Sequence, residues 1–284
     1  MDNRTGFRRG PAYLAEQARQ ALGVVAESRP LAEIPPPLVH TAFGAAICGL
    51  AVALRSEVLG LRGAAVAGGA LAAGTALVLV VYDRLVYSPG RRPSPDAVAL
   101  PVAAVVAFVT VLAGVSQLGV RLAAGIVAAL VIGGVPQVLW RQVTGGGAAY
   151  RFFRDIAGIV VLAPVMVAGV STLLPPWPRV GLVALAVFLV SYDGLRNEPL
   201  SAVRAAAGAL VTAAATALAA RLAGASVPNA GECAALLLVL WYGLRGVSAV
   251  LVSAEMRRGY LTLVEYAAFV GVAAGALRLV VLNQ

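Results

Sequence analysis

The sequence predicts an all-α membrane protein, a polytopic bundle of about nine transmembrane helices, from three observations. The chain of 284 residues is 60% hydrophobic and 12% charged, with a mean hydropathy of +0.88, whereas soluble domains have roughly 45–50% apolar and about 25% charged residues. A window of about 20 residues, the length of a helix that crosses the hydrocarbon core, identifies a series of apolar stretches along the chain. The interiors of these stretches are rich in Ala, Gly, Val and Leu, which lets helices approach closely in a membrane. A soluble enzyme is excluded.

Hydrophobic windows divide the chain into an N-terminal segment and a membrane domain. Residues 1–36 are expected to form a cytoplasmic or interfacial segment, because apolar residues recur at helical spacing between Ala12 and Ser28 and an amphipathic helix lies in the membrane surface. Residues 37–284 are expected to form the membrane domain. Nine spans are predicted, and the shortness of the sixth leaves eight or ten open. In chain order the spans cover residues 38–54, 63–82, 98–118, 122–140, 156–174, 180–192, 202–222, 234–253 and 261–281.

The arginines set the predicted orientation. All 22 residues of the lysine and arginine class are arginines. When the nine spans are laid end to end, 16 arginines fall on the side of the N-terminus and six on the other side. Because cytoplasmic loops carry the excess of basic residues, the N-terminus is expected inside and the C-terminus outside. We expect these arginines to contact the lipids of a bacterial or archaeal inner membrane. We expect no nucleic acid partner.

A short echo indicates an internal duplication. A Tyr-Asp pair at 82–83 ends the second span and another at 192–193 ends the sixth, so both pairs lie on the N-terminal side. A parallel duplication of a four-helix unit produces this arrangement, with repeats over residues 63–174 and 180–281. Coincidence is the alternative, because tyrosine is common at membrane boundaries.

Asp83 is the first candidate functional acid. It lies where the second span meets the inner loop, and an ionisable group at membrane depth is costly enough to be a functional candidate. Arg84, Arg91 and Arg92 follow it in a loop that contains three prolines. The planar guanidinium fork matches phosphate oxygens, so this loop suits a diphosphate anion. Anchoring by the positive-inside rule is the alternative role of these arginines.

Asp193 is the second candidate functional acid, at the inner end of the sixth span. Asn197 and Glu198 follow it, and carboxylate and amide oxygens are the ligands that a hard cation such as Mg²⁺ prefers. Hydrogen bonding at a helix end is the alternative role of these residues. Because both loops are predicted on the same side, a joint site gains weight over two separate structural roles.

These features together resemble the UbiA superfamily of intramembrane prenyltransferases. The nine predicted spans, the inside N-terminus and the inner loops after the second and sixth spans are similar to the family topology, in which those loops face each other over a cavity. The likeness in topology covers most of the chain, and four short patches carry the likeness in motif. They are Ser28-Arg29-Pro30 before the first span, Asp83-Arg84 with Arg91-Arg92-Pro93, the basic loop from Arg141 to Arg154, and Asp193 to Glu198.

The resemblance implies an active site. In the family, the aspartates bind Mg²⁺, which holds the prenyl diphosphate and eases ionisation of its carbon–oxygen bond. By this likeness Asp83 and Asp193 are the catalytic acids, and they bind Mg²⁺ with Asn197 and Glu198. The arginines implied to bind the diphosphate are Arg84, Arg91, Arg92, Arg141 and Arg151.

The chain departs from the family's first motif at two positions. Leu79 stands where the family has asparagine, and Tyr87 stands where it has a further aspartate. The acids that remain are too few to hold two metal ions well. Either one metal ion acts together with arginines, or the metal-dependent chemistry is lost.

Three functions follow as hypotheses. The first is transfer of an isoprenoid from a prenyl diphosphate to an apolar or aromatic acceptor. The alternative is a catalytically silent UbiA-like subunit that binds lipid or pigment among partner subunits of a larger membrane complex. A secondary transporter built on parallel repeats is the third, and the scarcity of polar residues at mid-membrane depth counts against it.

Overall fold

In the computed structural model of the chain, the described residues are 37–54, 60–82, 98–141, 147–171, 174–198, 200–224, 230–253 and 260–282. Across these ranges the chain is helical apart from short turns and contains no strand. The predicted all-α class is therefore confirmed. The helices found there are α1 (Pro37–Leu54), α2 (Gly60–Tyr82), α3 (Ala99–Gly114), α4 (Leu118–Arg141), α5 (Gly147–Val170), α6 (Pro176–Arg196), α7 (Ala202–Ala223), α8 (Ala230–Val252) and α9 (Tyr260–Leu282).

Six helices in the described ranges are long and apolar enough to cross a membrane. Their length and composition identify the chain as a helical membrane protein. These spans are Leu118–Pro136, Arg151–Val170, Pro176–Arg196, Ala202–Ala223, Ala230–Val252 and Thr262–Val280. Shorter apolar helical stretches lie at Phe43–Ala53, Ala65–Val81 and Ala99–Gly114.

The fifth helix begins earlier than predicted. We expected a basic loop from Arg141 to Arg154, but α4 ends at Arg141 and α5 already begins at Gly147. The expectation was wrong because it treated charge as a sign of loop. After the three glycines that end at Gly147, the chain continues with alanine and aromatic residues and has no proline before Pro164, so nothing prevents a helix.

The sixth helix is longer than predicted at both ends. Its first residue is Pro176, with Pro175 as the N-cap, and proline is well suited to the first helical position because the N–H it lacks has no partner there. At the other end the helix continues through Asp193 to Arg196. Asp193 is only 2% exposed, so its polarity does not end the helix.

The helices form two compact units. The first, called the N-terminal unit, contains the described residues up to Val165, and the second, called the C-terminal unit, contains the described residues from Met166 onward. In the N-terminal unit α4 packs against α1 and α3, and α3 also packs against α2. A Cβ atom at Gly44 would lie 2.8 Å from the carbonyl oxygen of Ala129, so glycine is required for this close approach. The core there contains Cys48, Ala51, Phe108, Leu112, Ala128 and Ala129.

In the C-terminal unit, α6, α7, α8 and α9 pack in chain order, each against the next. Gly208 of α7 lies against Leu195 of α6 and Ser248 of α8. Thr212 Oγ1 lies 3.0 Å from Ser248 Oγ in a buried hydrogen bond. Small and hydroxyl side chains at helix contacts are typical of membrane bundles. Large apolar side chains of α7 are exposed on its other side, where lipid can cover them: Val203, Leu210, Val211, Leu218 and Leu222.

Candidate functional site at the C-terminal end of the sixth helix

The described residues include one of the two predicted inner loops. Asp193, Asn197 and Glu198 lie within it, and Arg151 lies on α5. Arg141 is the last residue of α4, and its side chain lies outside the description. The predicted residues of the other loop also lie outside the described ranges, so their roles stay predictions: Asp83, Arg84, Tyr87, Arg91 and Arg92.

Residues 193–198, here called the 193–198 turn, close the end of α6. The Asn197 N–H donates to the Gly194 carbonyl at 3.2 Å, and the Glu198 N–H donates to the Leu195 carbonyl at 3.1 Å. The Arg196 guanidinium donates through Nη1 to the Leu200 carbonyl. These bonds satisfy backbone groups that a helix end leaves without intrahelical partners. These bonds define the shape of the turn.

Asn197 carries a buried amide without a partner. Both Oδ1 and Nδ2 of this side chain are shielded from solvent, and neither has a hydrogen-bond partner in the described part of the chain. A buried polar group that lacks its hydrogen bond destabilises a fold by about 1–3 kcal/mol. Such a group in a tightly closed turn indicates a place where a water, an ion or a ligand completes the hydrogen bonding.

The donor set of the 193–198 turn fits one hard cation. Asp193, Asn197 and Glu198 offer carboxylate and amide oxygens, and Mg²⁺ is usually held by one or two carboxylates together with substrate phosphates and water. No group of three or more His, Cys, Asp or Glu side chains that could hold a metal occurs among the residues described. The predicted further ligand, Asp83, lies outside them. The turn by itself thus supplies only part of the ligands of a metal ion, and a bound phosphate group would supply the others.

The sequence did not reveal that α8 brings an arginine to this turn. A Cβ atom built at Gly194 would lie 2.5 Å from Cζ and 2.6 Å from Nε of Arg245. Cζ of Arg245 also lies 5.8 Å from the centroid of the Trp241 ring. Trp241 is fully buried, and its Nε1 donates to Ser191 Oγ at 2.8 Å. A signal was available, since an arginine inside an apolar span is expensive and marks a functional candidate.

Aromatic rings extend this contact network from α8 to α9. The Trp241 and Tyr242 rings are 6.4 Å apart, and the Tyr242 and Tyr266 rings are 5.9 Å apart, both edge to face. The Tyr266 ring lies directly against Gly246, where any Cβ would overlap it. These contacts form one packed polar and aromatic layer in the C-terminal unit, from the end of α6 to α9.

The ionisable groups of this layer are balanced in charge. The 193–198 turn contains Asp193, Glu198 and Arg196, and Arg245 comes from α8, which makes two acids and two arginines. None of these four is without an interaction partner. Burying a charge is costly unless it is paired, and the formal charges of these four groups sum to zero. An added anion would need the N–H donors that an arginine has beyond its present contacts, or a cation that binds together with the anion.

Arginines on α5 form a separate basic patch in the N-terminal unit. Arg151, which the sequence singled out, is half-buried, and Arg154 one turn later is only 3% exposed. Arg154 and the adjacent Asp155 both have interaction partners. The predicted diphosphate-binding residues include Arg151 but not Arg154, although both arginines belong to the same basic stretch. Both arginines therefore lie on a helix, where a loop was predicted.

A buried arginine at the other end of α6 has a structural role. The Arg179 guanidinium donates through Nη1 to the Ser171 carbonyl at 2.7 Å, and the side chain is 5% exposed. A cation at the carbonyl end of α5 satisfies helix-end acceptors and interacts favourably with the helix dipole. The burial of an arginine alone therefore does not show which end of α6 carries the functional site.

No known protein family, curated protein or solved structure matches this chain.

Proposed function

We propose that the protein is a UbiA-like intramembrane prenyltransferase, which transfers an isoprenoid from a prenyl diphosphate to an apolar or aromatic acceptor. The proposal includes an inside N-terminus in a bacterial or archaeal inner membrane. One observation carries it. A buried aspartate, Asp193, and the unpartnered amide of Asn197 lie on one closed turn at the end of an apolar helical bundle.

The proposed chemistry separates charge at a membrane boundary. The carbon–oxygen bond between the isoprenoid and the diphosphate breaks, and its electron pair leaves with the diphosphate. The resulting allylic cation bonds to a carbon or oxygen of the acceptor, which then loses a proton. Mg²⁺, when bound, would neutralise the leaving diphosphate. Asp193, Asn197 and Glu198 would hold that ion.

Fixed positive charge and a dry surrounding favour this ionisation. Preorganised charges stabilise the developing anion without reorganisation, and they act most strongly where water is excluded. The apolar helices offer the isoprenoid a surface of matching polarity. Asp83, Arg84, Arg91 and Arg92 are assigned to the same activity on the resemblance, with Arg141 and Arg151 as further diphosphate ligands.

The test is diphosphate binding by the full-length protein in mild detergent. We expect farnesyl diphosphate to bind in a Mg²⁺-dependent manner, as an adduct in native mass spectrometry. Asp193→Asn should weaken this binding by at least about tenfold, because it replaces a charged metal ligand by a neutral one, and loss of even an outer-shell partner of a metal site lowers metal affinity by about 10- to 100-fold. Glu265→Gln is the matched control, since it also removes one carboxylate from an apolar helix but at an exposed position on α9.

The results separate two errors. If the unmodified protein binds no prenyl diphosphate with Mg²⁺, the proposed activity is wrong. If it binds but Asp193→Asn binds equally well, the activity stands and the assignment of the 193–198 turn is wrong.

A second candidate function is a catalytically silent subunit of the same fold that binds lipid or pigment. Leu79, which stands where the family has a polar ligand, is 2% exposed and packed into the core of the N-terminal unit. This position cannot contribute to a metal site. The same mass spectra test the candidate, because a silent subunit should retain partner proteins and form no diphosphate adduct.

A further inference from the structure

Arg245 counts among the arginines of the predicted inner side, but it lies within a helix and not in a loop. It belongs to α8, about two turns before the last residue of that helix, Val252. A charged residue on an apolar helix is costly, and its usual justification is a functional contact inside the bundle. The contact shown is with the 193–198 turn, at Gly194.

Three groups hold the Arg245 guanidinium in place. The Trp241 ring lies beneath it at 5.8 Å, and the hydrogen bond from Trp241 Nε1 to Ser191 Oγ fixes that ring against α6. Gly194 supplies space for the guanidinium, because any Cβ there would overlap it. The cation is therefore positioned before any ligand arrives, which removes the ordering cost from binding.

The chemistry of the group suits a phosphate ligand. A guanidinium has five N–H donors in a fixed fork, so one partner does not exhaust its capacity. Paired phosphate oxygens accept two of these bonds in parallel. Arg196, the other arginine of this end, donates to the Leu200 carbonyl, and Arg245 also has an interaction partner. The two differ in origin, because Arg196 belongs to the turn itself and Arg245 reaches the turn from a different helix.

We infer that Arg245 is a diphosphate-binding residue, which supplies a fixed positive charge at the 193–198 turn. This inference rests on the proposed function and adds to it a ligand that neither inner loop contains. It predicts that part of the affinity for a diphosphate is independent of metal. It also explains why position 194 is glycine and why the polar atoms of Trp241 and Ser191 are paired so deep in the unit.

The experiment compares Arg245→Met and Arg245→Lys with the unmodified full-length protein in mild detergent. Dissociation constants are measured for inorganic pyrophosphate, farnesyl diphosphate and uncharged farnesol, each with Mg²⁺ and with EDTA. We expect Arg245→Met to weaken both diphosphates by about 10- to 100-fold, under either condition, because hydrogen bonds to charged groups have this magnitude. Farnesol binding should not change, and Arg245→Lys should restore part of the loss.

Two further variants control for folding and for bulk charge. Arg278→Met removes an exposed arginine from α9 and should leave all three affinities unchanged. Gly194→Ala keeps Arg245 but displaces its guanidinium, and alanine is a better helix former than glycine. It should therefore reproduce the selective loss of diphosphate binding in a protein that remains folded.

The outcomes distinguish this inference from the proposed function. If the unmodified protein binds farnesyl diphosphate and Arg245→Met binds it equally well, the inference is wrong and the function stands. If Arg245→Met and Gly194→Ala weaken farnesol and diphosphate alike, Arg245 is a structural residue and the inference is also wrong. If the unmodified protein binds no diphosphate at all, both the function and the inference are wrong.

Discussion

Asn197 is a side chain whose burial is unfavourable unless the proposed ligand supplies its hydrogen bonds. Its amide is buried without a hydrogen-bond partner in the described part of the chain, while the surrounding backbone bonds of the 193–198 turn are complete. The destabilisation therefore belongs to the side chain alone. A residue of this kind is tolerated where the missing partner arrives with a ligand.

Replacing Asn197 tests whether that ligand includes a metal ion. Asn197→Asp adds a buried carboxylate, so without divalent cations we expect the free energy of unfolding to fall by about 1–3 kcal/mol. Mg²⁺ should reverse this loss, because the new carboxylate is a better ligand than an amide. Thermal unfolding in detergent, with EDTA and with Mg²⁺, measures both effects.

The matched variant is Asn197→Leu, which removes the amide but preserves an approximate volume. It should be about as stable as the unmodified protein or more stable, since it relieves an unsatisfied polar group, and Mg²⁺ should not affect it. A midpoint of Asn197→Asp that responds to Mg²⁺ no more than that of Asn197→Leu would show that no metal binds at this turn.

At the scale of helices, the polar and aromatic layer of the C-terminal unit depends on glycines. They allow side chains from one helix to reach a neighbouring helix. Gly194 leaves room for Arg245, and Gly246 leaves room for the Tyr266 ring. Each glycine thus sets the position of a side chain that comes from a neighbouring helix. The same glycines therefore determine both the polar layer and the packing of the helices. A substitution that changes the packing also moves the side chains of the layer.

Gly246→Ala is expected to destabilise the contact between α8 and α9. The new methyl group would overlap the Tyr266 ring, and overpacking of this kind costs about 1–3 kcal/mol. Gly231→Ala is the control on the same helix, because nothing lies within 4 Å of a Cβ at Gly231. Unfolding by a denaturing detergent should separate the two variants, and equal stability would contradict the close packing of Tyr266 on α8.

At the scale of the whole molecule, the positions of the helices were more predictable than the contacts of the site. Long apolar stretches identify membrane helices by composition alone, and each predicted span overlaps a helix of the described chain. The helices extend beyond the predicted spans, as at Gly147 and Pro176, because the spans were drawn from hydrophobicity and the ends of a helix can be polar or contain proline. Both residue types are compatible with the first turns of a helix.

The site was predictable only where one stretch of sequence contains it. Asp193, Asn197 and Glu198 are close along the chain, so their pattern was visible. Arg245 reaches the same turn from another helix, and no periodicity reveals which faces of two apolar helices meet. Helices composed largely of Ala, Val, Leu and Gly have apolar residues all around, so hydrophobicity does not indicate the buried face.

The orientation of the chain is the remaining molecular property that charge predicts. With nine spans, 16 arginines lie on the side of the N-terminus and six on the other, and the more basic side remains in the cytoplasm. A fluorescent protein joined to the N-terminus should therefore fluoresce in a bacterial host. Alkaline phosphatase joined after Gln284 should be active, because an odd number of spans leaves the C-terminus outside.

An insertion between α8 and α9 makes this orientation test specific to the last span. Alkaline phosphatase inserted within residues 254–259 should be inactive, since this connection contains Arg257 and Arg258 and is predicted inside. Activity after Gln284 together with inactivity at 254–259 requires α9 to cross the membrane. Activity at neither position would place both ends of α9 inside, and the number of spans would then be even. The 193–198 turn and the α8–α9 connection are predicted on the same side, so an active insertion at 254–259 would also move the proposed diphosphate site outside.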